Sequence, residues 1–248
     1  YIYAFGDGPT TLPEKGLGDA PVRTIAAAGL VAYVSDAPSG RLRPERRHLS
    51  AHQGVLRALM EGRTVLPVSF GVVARNEAEV RGIIASNASQ FREQCERVHD
   101  RVEHALRLSW DVPDLARHLV ERHPDLRAAR DAMVAHPSHD NKVRAGRAFE
   151  NVLNAEREAL TASLLAAIEP VCAEVVQNPL RADREVVNLA CLVGRGESAA
   201  FDQAVERAAS LFDETFRFDL SGPWAPHSFV RMNIAPPTDG ADGLSEAA

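Results

Sequence analysis

The sequence predicts an α+β fold of two domains, in which helices pack on mixed or antiparallel sheets. Segments that alternate apolar and polar residues are interleaved with segments whose apolar residues recur every three or four positions. From about residue 140 onward the predicted order is helix, strand, strand, helix, strand. This order is typical of α+β layers and not of a doubly wound parallel sheet. We therefore expect a ferredoxin-like C-terminal domain and an extended C-terminal tail.

The N-terminal domain is expected to span residues 1–110. A helix should begin near Pro44 and end at Gly62, because proline is tolerated in the first helical turn and glycine stops helices. Asn76, with Glu79 three residues later, resembles a capping box that opens a second helix reaching to about residue 98. The strands of this domain are predicted at residues 1–5, 22–26, 30–35, 65–73 and 101–110.

The second half of the chain is divided by its prolines. Residues 111–139 are interpreted as a helical connection between the domains. The C-terminal domain, residues 140–221, should begin with a long helix that Pro170 ends. Residues 222–248 form the tail, which is predicted to be disordered after about residue 235 because it is small and polar there. The remaining elements of the C-terminal domain are strands at 171–177, 185–193 and 215–220 and a helix after Gly196.

Composition and charge narrow the class of protein. The chain of 248 residues carries a net charge of −6 and has a pI near 5.9. These values argue against a nucleic-acid partner, since phosphates favour a basic face. No apolar run approaches the ~18 residues of a membrane span, so no membrane partner is expected. Three cysteines without C-x-x-C spacing, Cys95, Cys172 and Cys191, lie in apolar runs, which indicates buried free thiols and a cytoplasmic location.

Two groups of residues could carry chemistry, and for each a structural interpretation is favoured. His48 and His52 have a spacing that could bind a metal from one helix face, but no third ligand is apparent and His52 lies on the apolar face. Asp219, His227 and Ser228 are the residue types of a nucleophilic triad, but the G-x-S-x-G turn that would support it is absent. We therefore expect no catalytic, cofactor-binding or metal-binding residues and no enzymatic activity.

Two segments carry a more specific signal. Residues Leu66–Val73 read L-P-V-S-F-G-V-V, and residues Leu220–Val230 read L-S-G-P-W-A-P-H-S-F-V. Both resemble signature stretches of the gas vesicle GvpF/GvpL family, which typically read L-P-V-R-F-G-T-V and L-T-G-P-W-P-P-Y-S-F-V. Shorter matches between them extend the resemblance from Tyr1 to about Val230. The sequence departs from the family at Ser69, which replaces an arginine, and at His227, which replaces a tyrosine.

The resemblance implies an accessory protein of gas vesicle assembly. Such a protein would bind the small hydrophobic shell protein (GvpA-like) and limit its aggregation during vesicle nucleation, with other gas vesicle accessory proteins as further candidate partners. It would be cytoplasmic and a minor component of the vesicle, without a cofactor. The alternative is a small-ligand-binding regulatory protein, because ferredoxin-like domain pairs often bind metabolites.

The candidate site residues come from the same two segments. They have two interpretations: rigid anchors that contact the partner, or a clamp that folds back across the two domains. The candidates are Pro67, Phe70, Pro223, Trp224 and Phe229.

Overall fold

A computed structural model describes residues 1–8, 10–38, 40 and 42–232. The chain divides into two compact units. The first contains Tyr1–Glu103 together with the described residues from Pro223 onward, and the second contains His104–Gly222. Each unit has its own four-stranded sheet. The α+β class predicted from the sequence is thereby confirmed.

The first sheet is antiparallel throughout, with the strand order β2-β3-β1-β4. The turn between β2 and β3 lies at Ala28 and Gly29, between the strands predicted at residues 22–26 and 30–35, and these two residues have positive φ angles of 50° and 76°. This conformation matches the twist of a two-residue hairpin. The strands are β1 Ile2–Gly6, β2 Arg23–Ala27, β3 Leu30–Val34 and β4 Leu66–Pro67.

Among the residues that the structure describes, three α-helices belong to the first unit: α1 Arg46–Gly62, α2 Glu77–Ser86 and α3 Ala88–Arg97. Asn76 caps α2, its side chain accepting a hydrogen bond from the Glu79 N–H at 2.9 Å, as the capping box predicted. The expected single helix to residue 98 is interrupted at Asn87. There the side-chain amide donates to the Ile83 carbonyl at 2.8 Å, and such local bonds compete with the helical ladder.

The strand expected at residues 65–73 is also shorter than predicted. Only Leu66 and Pro67 pair with β1, and the chain then turns through Gly71, whose φ is 101°. Glycine adopts this conformation at little cost. The apolar run is therefore a short strand followed by a tight loop.

The second sheet has the order β6-β7-β5-β8. Its elements run strand, helices, strand, strand, helix, strand along the chain, with β5 beside β7, an arrangement compatible with the expected ferredoxin-like topology. The strands are β5 Arg101–Trp110, β6 Glu174–Gln177, β7 Glu185–Gly194 and β8 Phe216–Trp224. The helices are α4 Leu115–Arg122, α5 Pro124–Ala135, α6 His139–Ile168 and α7 Ser198–Ala209.

This division differs from the expected boundaries in three places. Strand β5, expected in the N-terminal domain, lies inside the second sheet, because its apolar side chains pack in the same core as those of β7. Helices α4 and α5, expected as a connection, pack against α6. Residues 223–232, expected in the tail, belong to the first unit. The predicted disorder after about residue 235 lies outside the described residues.

Candidate functional site

The loop that follows β4 is held to β1 by backbone hydrogen bonds. The Val68 N–H donates to the Tyr3 carbonyl at 2.9 Å, and the Ile2 N–H donates to the Val72 carbonyl at 3.1 Å. The turn between these two bonds carries Phe70, which is half-buried. The first signature segment thus forms a fixed loop with an aromatic side chain at its bend.

An aromatic cluster lies beneath this loop. The Phe70 ring packs against Tyr1 and against His52 of α1, with ring centroids 6.0 and 5.9 Å away. The Tyr1 hydroxyl and His52 Nδ1 share a hydrogen bond of 2.8 Å. Burial, with a smaller contribution from the charge of His227, lowers the pKa of His52 to about 4. His52 is therefore a neutral core residue at pH 7.

His48, the other half of the possible metal pair, bonds elsewhere. Its Nδ1 lies 2.9 Å from the Arg43 carbonyl oxygen. Among the described residues there is no group of three or more His, Cys, Asp or Glu side chains with the geometry of a metal site. The structure therefore does not bring His48 and His52 together with a third ligand within the part of the chain that it describes.

The C-terminal segment folds onto the first unit through one buried carboxylate. Glu103, which is 8% exposed, accepts hydrogen bonds from the Ser228 N–H at 2.7 Å and from the Ser228 hydroxyl at 2.8 Å. Burial raises the pKa of Glu103, and the two bonds from Ser228 oppose that rise. Ser228 is thus an anchor of the segment, and its hydroxyl is not directed at a histidine.

Further bonds hold the segment on α3. An Arg97 guanidinium nitrogen donates to the Phe229 carbonyl at 3.0 Å, and the Arg231 N–H donates to Gln94 Oε1 at 2.9 Å. The Phe229 side chain itself is fully buried. Asp219, the third residue of the possible triad, forms an ion pair with Arg217 at 3.4 Å. Ser228 and Asp219, two of the three residues of the possible triad, are therefore engaged in structural contacts.

Trp224 lies where this segment begins, and it is half-buried. The guanidinium carbon of Arg57, on α1, lies 5.7 Å from the centroid of its ring, within range of a cation–π interaction. Gly222, two residues earlier, has a φ of 141°, which explains the glycine of the G-P-W motif. Pro223 is exposed.

The two signature segments therefore meet on one helix. Phe70 contacts α1 at His52, and Trp224 contacts it at Arg57. Ala225, immediately after Trp224, is buried in the apolar cluster against which Phe70 packs and to which α1 contributes. We call the accessible part of this arrangement, formed by Phe70, Pro223 and Trp224, the α1 surface.

The five predicted site residues are all in the first unit, but only three of them form the α1 surface. Pro67 is buried and lies opposite Ala4 in the sheet, and Phe229 is buried under its own segment. Sequence reasoning missed Arg57 and Glu103, because no local pattern distinguishes either residue from other charged residues of the chain.

The fold and the site define an α+β protein of two four-stranded units whose C-terminal segment packs on the N-terminal unit. The sequence model of the family described as "Gas vesicle synthesis protein GvpL/GvpF" matches residues 1–231, and the chain belongs to this family. The family predicted from the two signature segments is thus confirmed.

Similar proteins carry both family names. The chain is 26% identical to gas vesicle protein F of Nostoc sp. (strain PCC 7120 / SAG 25.82 / UTEX 2576), with 94% of this chain and 98% of the relative covered. It is 29% identical to gas vesicle protein F of Streptomyces sp. (strain CB03234), covering 93% and 98%. It is 28% identical to gas vesicle protein L of that Streptomyces strain, covering 93% and 92%.

A solved structure shares the fold. The crystal structure of the gas vesicle protein GvpF from Anabaena sp. PCC7120 matches with a TM-score of 0.83 at 26% identity, covering 94% of this chain and 98% of that one. Family membership and this match support a role related to gas vesicles, in a family of structural and accessory proteins and not a known family of enzymes.

Proposed function

We propose that this protein is a non-enzymatic assembly factor that binds the small hydrophobic shell protein of gas vesicles and limits its aggregation during nucleation. It acts in the cytoplasm and stays with the vesicle as a minor component. Family membership over residues 1–231 supports this proposal. The structural observation that carries it is the meeting of the two signature segments on α1.

A protein that limits aggregation of the shell subunit must meet a physical requirement. A shell subunit with a water-repelling face aggregates until that face is covered. A protein that covers it needs apolar contacts that are already held in place, because ordering flexible side chains on binding costs free energy. The α1 surface fits this requirement, since Phe70 is fixed by the bonded loop and Trp224 by its contact with Arg57. We assign the shell-protein contact to this surface.

The test is co-production of the shell protein with an affinity-tagged form of this chain. Trp224→Ala should reduce the recovered shell protein by about tenfold or more, because buried tryptophan contacts dominate binding surfaces. Phe70→Ala should weaken recovery in the same direction. Val134→Ala on α5 is the matched control, since Val134 is 68% exposed and lies in the second unit. Undiminished recovery with both α1-surface variants would refute the assignment.

The same variants distinguish a partner surface from a clamp. If Trp224 only holds the segment in place, Trp224→Ala should lower the thermal midpoint of unfolding while the shell protein is still recovered. If it contacts the partner, recovery should fall while the folded state persists by circular dichroism.

One observation favours the small-ligand alternative. A groove of about 710 Å³ in the second unit lies between α6 and the loop after β6, lined by residues that include Arg157, Thr161, Leu165 and Leu180. A nucleotide or amino acid that raises the thermal midpoint by several degrees would support ligand binding there. Leu165→Arg should abolish that rise.

A further inference from the structure

Strand β8 forms one edge of the second sheet. It pairs with β5 on its inner side, and within the described part of the chain no strand pairs with its outer side. Phe216 and Phe218 are half-buried against the core of the second unit, each in edge-to-face contact with Phe212. Arg217 and Asp219 alternate with these phenylalanines, so their side chains lie on the opposite face of the strand, and both are exposed.

The backbone of β8 offers hydrogen-bonding groups at this edge. The Asp111 N–H donates to the Thr215 carbonyl at 2.7 Å, which directs that carbonyl inward, while the Thr215 N–H donates to Asp213 Oδ1 at 2.9 Å. Because the direction of these groups alternates along a strand, those of Phe218 and Leu220 are directed outward. The Phe216 N–H donates to the Asp213 carbonyl at 3.2 Å, so it is already engaged in the turn before the strand. An edge strand with such groups is a template for another strand.

The side chains around Phe218 are complementary to themselves. If a second β8 ran antiparallel to the first with Phe218 opposite Phe218, Arg217 of each copy would face Asp219 of the other. On the other face, Phe216 would lie opposite Leu220, a side chain that is 40% exposed. Opposite charges and apolar pairs that face each other across strands are the contacts that stabilise a sheet.

The charges also select this register. Displacing the second strand by two residues in either direction would set Arg217 against Arg217 or Asp219 against Asp219. Displacing it by one residue would bring charged side chains onto the apolar face. Only the arrangement centred on Phe218 therefore satisfies both faces.

We propose that β8 pairs with β8 of a second copy of this chain in this antiparallel register. The second sheet of one copy and the second sheet of the other would then form one sheet of eight strands. The occupant of the edge is a second copy because the strand supplies its own complementary charges. Pro223 has no N–H to donate, so the pairing ends before it and remains short. The dimer is accordingly small in buried area and reversible.

Sedimentation equilibrium of the full chain between about 1 and 300 µM tests this proposal. The expected result is a concentration-dependent shift from the monomer mass of 26.9 kDa towards twice that value. R217E and D219R should each weaken the dimer by about tenfold or more, since each sets two like-charge pairs across the strands. The double variant R217E/D219R should restore it, because the exchanged charges face each other again.

The matched control is the exposed ion pair between Arg130 and Asp131 on α5, whose nitrogen and oxygen lie 2.8 Å apart. R130E and R130E/D131R should leave the association unchanged. A chain that is monomeric throughout, single variants that dimerise normally, or a double variant that stays monomeric would each overturn the proposal. None of these results bears on recovery of the shell protein, so failure here is distinct from failure of the proposed function.

Discussion

Phe229→Ala tests whether the C-terminal segment is an integral part of the first unit. The side chain is fully buried, and the segment around it is held by bonds from Ser228 to Glu103 and from Arg97 to the Phe229 carbonyl. Removing the ring deletes the largest apolar contact of the segment. We expect the first unit to lose stability and the segment to loosen.

The size of the stability loss expected for Phe229→Ala follows from the burial of the Phe229 side chain. A buried Phe→Ala change costs about 3–5 kcal/mol where the site cannot collapse. Here the segment follows the last strand, so it can detach without breaking either sheet, and the loss cannot exceed the free energy that attaches it. The remaining hydrogen bonds contribute about 1 kcal/mol each, somewhat more where a charge is involved. We therefore expect a loss of about 3 kcal/mol.

The assay exploits the two tryptophans, of which Trp224 is in the first unit and Trp110 in the second. In a Trp110→Phe background, Trp224 fluorescence during urea unfolding reports the first unit alone. The reference protein carries the same Trp110→Phe change, so its cost cancels. Hydrogen exchange should show lost protection of the Ser228 and Arg231 amides, which bond to Glu103 and Gln94.

A loss below about 1 kcal/mol, with unchanged protection of both amides, would refute this reasoning. It would mean that Phe229 contributes little to the attachment of the segment. Ser228→Ala is a useful companion variant, because it removes one bond to Glu103 and leaves the ring in place. It should cost less than Phe229→Ala.

Three further predictions concern titratable groups. Because burial lowers the pKa of His52 to about 4, the stability that neutral His52 contributes should be constant above about pH 6.5 and should be lost as the pH falls towards 4. The loss should reach up to about 3 kcal/mol. In urea titrations at several pH values, His52→Gln should remove that pH dependence. Because burial raises the pKa of Glu103, the stability that this residue contributes is present at low pH and is lost as the pH rises through that pKa. The free energy of unfolding of Glu103→Gln, relative to that of the native protein, should therefore be higher at pH 8 than at pH 4. The half-buried Cys172, whose pKa is lowered by a hydrogen bond from Cys191, should react with iodoacetamide before Cys95, whose pKa burial raises to about 12; mass-spectrometric peptide mapping that finds Cys95 modified first would contradict this.

Local signals were sufficient for much of the fold. The α1 helix, the capped start of α2 and the turn at Ala28-Gly29 each depend on residues within a few positions of one another, and the structure contains all three. The same is true of the long helix α6, which ends at Ile168 just before Pro170. Periodicity and capping act locally, so a single sequence reveals them.

The errors concern contacts between distant residues. Whether β5 belongs to the first or the second sheet depends on its pairing partners, and its alternation of polar and apolar residues fits either. The Glu103–Ser228 contact joins residues 125 positions apart and leaves no trace in the local pattern. The interruption at Asn87 is different, since it depends on one side chain competing with the helix at a position where the apolar stripe continues.

The candidate site was predictable in part. The two signature segments contain Phe70, Pro223 and Trp224, which were therefore candidates from the sequence alone. That both segments rest on α1, and that Phe229 is buried instead of exposed, required the three-dimensional arrangement. Resemblance to a family therefore located the segments, and packing decided which of their side chains remain accessible.

The proposed function requires this protein to cover the apolar face of the shell subunit. Light scattering during dilution of denatured shell protein into buffer tests it most directly, with increasing amounts of this chain and no nucleotide present. The account predicts that scattering falls in proportion to the added protein and that Trp224→Ala abolishes the effect while Val134→Ala preserves it. Scattering that is unchanged at a several-fold molar excess of the native chain would contradict the claim.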